Sequence, residues 1–106
     1  MAKFANRKTI YVTAKDGVTG RTWFGVDPDG NNGALGRVNA KNVKVANTDG
    51  ANNARYQLNH RTGDLSATNS DVIDATKTDR NDEGDFQCIS YAGIGGDVSL
   101  RITIEW

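Results

Sequence analysis

The stretch Asp97-Val98-Ser99-Leu100-Arg101-Ile102-Thr103-Ile104-Glu105-Trp106 decides the fold of this chain. Its apolar residues occupy every second position, and polar residues fill the positions between them. Strict alternation over this length is typical of a β-strand with one buried face and one solvated face. Burying the apolar side chains stabilises the strand by on the order of 7–15 kcal/mol, whereas ordering its backbone costs on the order of 10–20 kcal/mol. The strand therefore needs a second layer, which the rest of the chain must supply.

The length and composition of the chain predict one all-β domain. At 106 residues the chain is long enough for a single hydrophobic core of modest size. It contains eleven Asp, eleven Asn and twelve Gly but only four Leu and two Glu, so turn formers outnumber good helix formers. We therefore expect a single domain over residues 1–106, built of short strands and tight turns, with residues 1–7 as a basic lead-in.

Further strands are predicted from short alternating or β-branched runs that turn residues separate. They cover Thr9–Ala14, Arg21–Val26, Asn42–Ala46, Arg55–Asn59, Leu65–Thr68 and Phe86–Tyr91. The fourth and fifth of these runs flank a short turn and are interpreted as a hairpin. Asp71–Thr76 is ambiguous between a strand through Val72-Ile73 and a single helical turn, and we favour the strand. Asp79–Gly84 is interpreted as an acidic turn.

Short strands with turns every ~8–12 residues predict a β-sandwich or a β-barrel. We favour an antiparallel two-layer β-sandwich with Greek-key connections. The apolar side chains expected in its core are Ile10, Val12, Trp23, Val43, Val45, Leu58, Leu65, Ile73, Phe86, Cys88, Val98, Leu100, Ile102 and Ile104.

Four pieces of the chain resemble variable-type immunoglobulin domains. Asp82-Glu83-Gly84-Asp85-Phe86-Gln87-Cys88 resembles the Asp-x-Gly-x-Tyr-x-Cys motif of strand F, and Trp23-Phe24 resembles the Trp-aromatic pair of strand C. The run Gly93–Leu100 is similar to the glycine bulge that leads into strand G, and Val12 lies about where the strand B cysteine falls. The resemblance implies an immunoglobulin-like sandwich topology.

The chain departs from this family in two ways. Val12 replaces the partner cysteine, and because Cys88 is the single cysteine of the chain, the inter-sheet disulfide of the family is impossible. Phe86 lacks the hydroxyl group that a tyrosine corner donates. Packing among Val12, Cys88 and Trp23 would have to replace the roughly 2–5 kcal/mol that such a disulfide contributes.

A second resemblance, to cadherin repeats, raises the question of calcium. Asp49-Gly50-x-Asn52, Tyr56-x-Leu58 and Thr62-Gly63-x-Leu65 are similar to pieces of that family, but their spacing is shorter and the family's Leu-Asp-Arg-Glu segment is absent. Calcium takes six to eight oxygen ligands, and the weak candidates to donate them are Asp27, Asp29, Asn31, Asp49 and Asn52. Asp, Asn and Gly are also the residues of which ordinary turns are made. We favour that interpretation and predict neither a metal nor a cofactor.

The sequence offers no catalytic set. Cys88 lies in an apolar strand and is interpreted as a small buried hydrophobic residue rather than as a nucleophile. His60 is the only histidine, and its spacing to Cys88 and to the serines does not support a triad. The glycines after residue 92 lead into a strand rather than a helix, so they do not form a phosphate loop. We expect a protein that is not an enzyme.

The charges balance over the whole chain but not within its halves. Thirteen basic residues match thirteen acidic ones, so no global field attracts nucleic acid, and we expect no nucleic acid partner. Residues 1–60 carry a net charge of +5 and residues 61–106 a net charge of −5. Either these charges are intermixed on one surface, or they form opposite faces that pair between copies of the chain. An aromatic and basic surface is a further alternative, and its members would be Tyr11, Trp23, Tyr56, Lys8, Arg21 and Arg55.

These observations favour a structural subunit that assembles with itself or decorates a larger assembly, of the virion coat, decoration or fibre type. The candidate assembly residues are Lys3, Arg7, Lys8, Asp79, Asp82, Glu83 and Trp106. The N-terminal residues include no apolar run typical of an export signal or a membrane span, so we expect synthesis in the cytoplasm, no membrane partner and a location in a virion.

The alternative is an immunoglobulin-like recognition module that binds a protein or a glycan. Its binding surface would be formed by loops 15–20, 27–36 and 47–54. The candidate binding residues in these loops are Asp27, Asn31, Asn32, Asp49 and Asn52.

Overall fold

The computed structural model describes residues 4–106, which form eight β-strands. The strands are β1 (Arg7–Ala14), β2 (Gly20–Trp23), β3 (Asn42–Asn47), β4 (Asn53–Leu58), β5 (Asp71–Ile73), β6 (Thr78–Asn81), β7 (Cys88–Ile94) and β8 (Val98–Glu105). Every pairing between these strands is antiparallel. No helix within residues 4–106 is long and apolar enough to cross a membrane.

The strands form two four-stranded sheets, which confirms the predicted all-β two-layer sandwich. The order in the first sheet is β1-β8-β3-β6, and the order in the second sheet is β2-β7-β4-β5. Except between β4 and β5, each connection carries the chain from one sheet to the other. This strand order is that of an eight-stranded jelly roll, in which two Greek keys wrap around one core.

The strand order differs from that of an immunoglobulin domain. In that fold strands F and G are neighbours in one sheet, whereas β7 and β8 belong to different sheets here. Glycines at the end of β7 and in the loop that follows it permit this crossing. Gly95 has a φ of +77°, and a Cβ atom on Gly93 would lie 2.2 Å from the carbonyl oxygen of Gly96.

The core lies between the inner faces of the two sheets. The terminal strand behaves as its alternation predicts, because Val98, Leu100, Ile102 and Ile104 are buried and the residues between them face outward. The other predicted core residues that are buried between the sheets are Val43, Val45 and Ile73, whereas Cys88 is buried outside the core cluster, on the outer face of the second sheet. Ile10, Val12, Leu58 and Phe86 are half-buried and pack against the core.

The core prediction is wrong at Trp23 and Leu65, which are half-buried and lie outside the core cluster. Phe24, the residue after Trp23, is fully buried in its place. The larger side chains that the prediction missed are Phe24, Tyr56, Ile89 and Tyr91. The tyrosines were missed because burial of their hydroxyl groups depends on partners from other strands: Tyr91 contacts Thr22 and Tyr56 contacts Asp79.

Two predicted elements have different pairings from those expected. Leu65–Thr68 is not a strand, because β4 pairs with β5, with Ala54 opposite Ile73, rather than with the nearer segment. The predicted acidic turn begins late, since Thr78–Asn81 forms β6 and pairs with β3. The strand through Val72-Ile73 is confirmed.

Two strands also have different bounds from those predicted. β2 ends at Trp23 rather than Val26, and β7 covers Cys88–Ile94 rather than Phe86–Tyr91. Phe86 forms only an isolated bridge with Ala40. Because some residues of the predicted strands lie outside the observed strands, there are long loops at 24–41 and 59–70.

Candidate functional site

The loops predicted to form one binding surface lie at opposite ends of the sandwich. Loops 15–19 and 48–52 share one end, where the backbone N–H of Asp16 donates to Asp97 and the Thr48 N–H donates to the carbonyl of Ser99. Loop 24–41 follows the far end of β2, and the carbonyl of Ala34 accepts a hydrogen bond there from Lys8 at the start of β1. The three loops therefore do not form a single surface of the kind that an immunoglobulin-like recognition module uses.

The calcium candidates act as turn residues. In loop 24–41 the Asp27 carboxylate accepts the backbone N–H groups of Asp29 and Asn31, each at 2.9 Å. In loop 48–52 the Asp49 carboxylate accepts the N–H groups of Ala51 and Asn52 at 3.0 and 2.6 Å. These bonds hold the pKa of Asp49 below its usual value. Across residues 4–106 there is no group of three or more His, Cys, Asp or Glu side chains that could hold a metal ion.

The outer face of the second sheet is covered by the chain itself. We call it the covered face; strand register places Arg21, Gln57, Cys88 and Ser90 on it, and loop 59–70 lies over it. The carbonyl oxygen of His60 accepts hydrogen bonds from Arg21 Nε at 2.7 Å and from Ser90 Oγ at 2.8 Å. The Cys88 thiol approaches the same oxygen at 3.4 Å. One backbone carbonyl thus fixes the loop to three side chains of the sheet.

Arg21 is the centre of this cluster. Besides the His60 carbonyl, its guanidinium donates to Ser90 Oγ at 2.9 Å and to the Gly63 carbonyl at 2.7 Å, and it lies 3.2 Å from His60 Nδ1. Ser90 is 0% exposed. The His60 imidazole is therefore held by a guanidinium rather than by a carboxylate, and the serine beside it has no access to a substrate. The arrangement serves to attach the loop.

Burial also controls the chemistry of Cys88. Desolvation raises the pKa of the Cys88 thiol, and the positive charges of Arg21 and Arg61 oppose this effect only in part. A thiol with a raised pKa carries little thiolate at neutral pH and is a poor nucleophile. The environment fits the interpretation of Cys88 as a small buried hydrophobic residue.

The outer face of the first sheet has no such cover. Strand register places its outward side chains in rows across the sheet, and three of these rows contribute to a groove. The rows are Arg7–Glu105–Asn42, Thr9–Thr103–Lys44–Arg80 and Tyr11–Arg101–Ala46–Thr78. We call this surface the open face. A groove with a volume of about 270 Å³ runs over it, and residues from all three rows line the groove.

The cations of the open face are incompletely neutralised. Arg7 lies 3.3 Å from Glu105 and Arg80 lies 4.0 Å from Asp82, both with exposed guanidinium groups. Within residues 4–106, the side chains of Lys44 and Arg101 form neither an ion pair nor a hydrogen bond. Lys44 is directly opposite Arg80 on the neighbouring strand. Like charges in that position destabilise a sheet by a few tenths of a kcal/mol to about 1 kcal/mol.

An exposed aromatic ring lies beside these cations. Tyr11 is 77% exposed and is directly opposite Arg101. The predicted aromatic and basic surface is not assembled as expected, because Tyr56 is buried and Trp23, Arg21 and Arg55 belong to the second sheet. Of its six members, Tyr11 alone faces the groove of the open face.

Most of the predicted assembly residues have intramolecular contacts. Arg7 pairs with Glu105, Asp82 lies near Arg80, and the Asp79 carboxylate accepts the Tyr56 hydroxyl at 3.0 Å. Trp106 is half-buried against the core, and its backbone exchanges two hydrogen bonds with Asn6. Lys8 donates to Ala34, as described above. Glu83 is exposed, with its backbone N–H bound to Asn42, and Lys3 lies outside the described residues.

The charges of the two halves of the chain are intermixed. Arg7 and Lys41 of the basic half pair with Glu105 and Asp85 of the acidic half at 3.3 and 2.9 Å. The Lys41 ammonium holds the pKa of Asp85 below its usual value. The sequence missed Lys44, Arg80 and Arg101 as members of one surface, and its only signal for them was the outward alternation of each strand. No family model matches the chain, and searches among curated proteins and solved structures found no match.

Proposed function

We propose that this protein is a structural subunit that packs against copies of itself in a larger assembly, of the virion coat or decoration type. The observation that carries the proposal is the strand order of the two sheets. An eight-stranded jelly roll is a recurrent architecture of viral capsid domains, although lectins and cupins also use it. The immunoglobulin-like assignment is not part of the proposal, since it would require β7 and β8 in one sheet.

The lengths of the edge strands favour β1 as the contact between copies. Three of the four edges are short: β2 and β6 have four residues each and β5 has three. β1 has eight residues and pairs only with β8. Proteins usually protect long edges with charges, prolines or bulges. In β1 the charges are confined to Arg7 and Lys8, and Thr9–Ala14 carries neither charge nor proline.

The hydrogen-bond pattern shows which groups of β1 are free for a partner. Asn6 and Trp106 exchange both backbone hydrogen bonds, so every second residue from Asn6 onward points its N–H toward β8. The N–H groups of Thr9, Tyr11 and Thr13 consequently point away from the sheet, and all three residues are exposed. An antiparallel partner strand from a second copy would satisfy these groups and continue the sheet by two-fold symmetry.

The test compares two substitutions at one exposed position. Thr9→Pro removes an outward N–H and leaves the bonds to β8 in place, whereas Thr9→Ala keeps that N–H. Mass is measured by light scattering over a range of protein concentrations, with circular dichroism to confirm folding. We expect the native chain and Thr9→Ala to form a concentration-dependent oligomer and Thr9→Pro to shift toward the monomer.

Two results would contradict the proposal. A native chain that stays monomeric from micromolar to millimolar concentration would overturn the structural role. An oligomer that is equally stable in folded Thr9→Pro and in Thr9→Ala would overturn β1 as its contact. Electron microscopy of the native oligomer then distinguishes a closed shell from a simple dimer.

A further inference from the structure

We propose that the open face binds single-stranded nucleic acid. The neutral net charge of the chain predicts no such partner, but the fold separates charges that the sequence balances. The groove of the open face contains four basic residues, Arg7, Lys44, Arg80 and Arg101, against two acidic ones, Asp82 and Glu105. The remaining carboxylates of the chain lie outside this groove. The face is therefore positive although the chain is neutral.

The placement of the cations points to an anionic ligand. Lys44 and Arg80 are cross-strand neighbours, and Arg101 lies on the diagonal from Lys44, since Lys44 is opposite Thr103 two residues further along β8. Strands in a sheet are about 4.8 Å apart, so three positive side chains project from a small area. A phosphate that binds between them relieves the repulsion that their adjacency creates.

The tyrosine decides between nucleic acid and other polyanions. Tyr11 projects from the edge strand β1 beside Arg101 and is 77% exposed. A simple polyanion without rings does not stack on a ring of this kind, whereas an unpaired base does. Proteins that bind single strands combine a positive groove with such stacking platforms. Threonine hydroxyls of the middle row, Thr9 and Thr103, supply additional polar contacts in the groove.

The shape of the surface favours a single strand over a duplex. The open face is one side of a four-stranded sheet without a described helix or two-stranded ribbon projecting from it. Reading a duplex in its major groove requires an element of that kind. Bases of a single strand reach an exposed ring on a flat surface without this requirement.

The proposal is tested on the protein as a monomer, so that it stands independently of the proposed assembly. The native chain, at a concentration at which it is monomeric, is titrated into dye-labelled oligo-dT and oligo-U of about 16 nucleotides. Fluorescence anisotropy is recorded between about 50 and about 200 mM salt. We expect binding that weakens as salt rises.

Substitutions on the open face separate the contributions of charge and stacking. Lys44→Ala and Arg101→Ala are each expected to reduce the slope of log K against log salt by about 0.7. Tyr11→Ala is expected to weaken binding by roughly 5- to 100-fold, and Tyr11→Phe, which keeps the ring, by much less. Arg37→Ala is the matched control, because Arg37 is an exposed arginine in loop 24–41 that does not line the groove.

Each outcome has a defined consequence. Absence of binding at the lowest salt concentration overturns the proposal. An equal loss in Arg37→Ala and Arg101→Ala shows non-specific attraction and also overturns it. If the charge variants weaken binding but Tyr11→Ala does not, and heparin binds as well as oligo-dT, the ligand is a polyanion of another class and the assignment to nucleic acid is wrong.

Discussion

The two sheets of this sandwich have similar inner faces and very different outer faces. The covered face carries Arg21, Cys88 and Ser90, and these side chains are bound by the His60 carbonyl of loop 59–70. The open face carries Lys44 and Arg101, which have no hydrogen-bond partner among residues 4–106, beside an exposed tyrosine. An arginine is thus bound by the chain itself on one face, whereas on the other face an arginine has no such partner among residues 4–106.

The comparison shows that residue type does not determine the role of a surface side chain. Arg21 lies on the edge strand β2 and Arg101 on the inner strand β8, and both point away from the core. The difference arises because loop 59–70 is long enough to fold back over the outer face of the second sheet. The loops next to the first sheet lie at the ends of its strands instead. An arginine that would otherwise be solvated stabilises the fold when a loop covers it.

The largest expected effect is on the covered face. Arg21→Ala removes the hydrogen bonds from a charged donor to the carbonyl groups of His60 and Gly63, and a hydrogen bond to a charged group contributes about 1.5–3 kcal/mol. We expect a loss of about 2–5 kcal/mol in the free energy of unfolding. The matched variant Arg101→Ala removes an arginine from the open face and is expected to change the free energy of unfolding by less than about 0.5 kcal/mol. Urea denaturation measures both.

The reactivity of Cys88 reports on the same loop. Because its thiol lies beneath loop 59–70 and has a raised pKa, it reacts with thiol reagents only when the loop opens. Arg21→Ala should accelerate this reaction in folded protein, and Arg101→Ala should leave its rate unchanged. Equal rates in the two variants would show that Arg21 does not hold the loop.

Tyr56 connects the two sheets. Tyr56 of β4 is 3% exposed and donates to Asp79 of β6 in the other sheet, and Asn81 donates to its hydroxyl at 3.3 Å. Desolvation, assisted by the negative charge of Asp79, raises the pKa of Tyr56 to about 12. A phenol whose pKa is higher in the folded state stabilises the fold below its unfolded pKa of about 10, and this stabilisation is lost as pH rises through about 12.

The free energy of unfolding should therefore decline by about 3 kcal/mol between about pH 10 and about pH 12. Tyr56→Phe should reduce the decline by about that amount while costing about 1 kcal/mol at neutral pH through its lost hydrogen bonds. Tyr11→Phe removes a phenol from the open face instead and should leave the decline in place. Thermal or urea unfolding at several alkaline pH values measures it. A decline of equal size in Tyr56→Phe and in the native chain would show that another group controls alkaline unfolding.

The smallest expected effect is a gain in stability on the open face. Lys44→Glu replaces a like-charge contact with Arg80 by an opposite-charge one, which should raise the free energy of unfolding by about 0.2–1 kcal/mol. The same substitution should abolish the proposed nucleic acid binding. Lys77→Glu, which changes the charge of an exposed residue outside the groove, serves as its control. Equal stability changes in the two variants would show that the contact between Lys44 and Arg80 costs nothing.

Sequence reasoning succeeded where neighbouring residues determine the outcome. Ile102 and Ile104 were placed in the core because alternation requires only the local chain, and the strand at Val72-Ile73 was found in the same way. Sequence reasoning was wrong where a partner distant in the sequence determines the outcome. The predicted hairpin partner of β4 was the nearer segment Leu65–Thr68, but that segment loops over the covered face instead.

The candidate site depended even more on distant partners. Asp27 and Asp49 were recognised as turn residues from their loops alone, and the structure shows both carboxylates bound to their own turns. No local pattern joins Lys44, Arg80 and Arg101, which belong to three different strands. Tyr56 was a candidate for the aromatic and basic surface, but it is buried, because its hydroxyl donates a hydrogen bond to Asp79 of the other sheet.

The sequence by itself determined an all-β chain whose last strand buries every second side chain, since a period of two and a shortage of helix formers are properties of the local chain. The tertiary structure alone decided which strands are neighbours, because antiparallel pairing joins residues that are far apart in sequence and can be arranged in many orders. That order made the fold a jelly roll. It also gathered four dispersed cations on one open face together with only two acidic residues, Asp82 and Glu105.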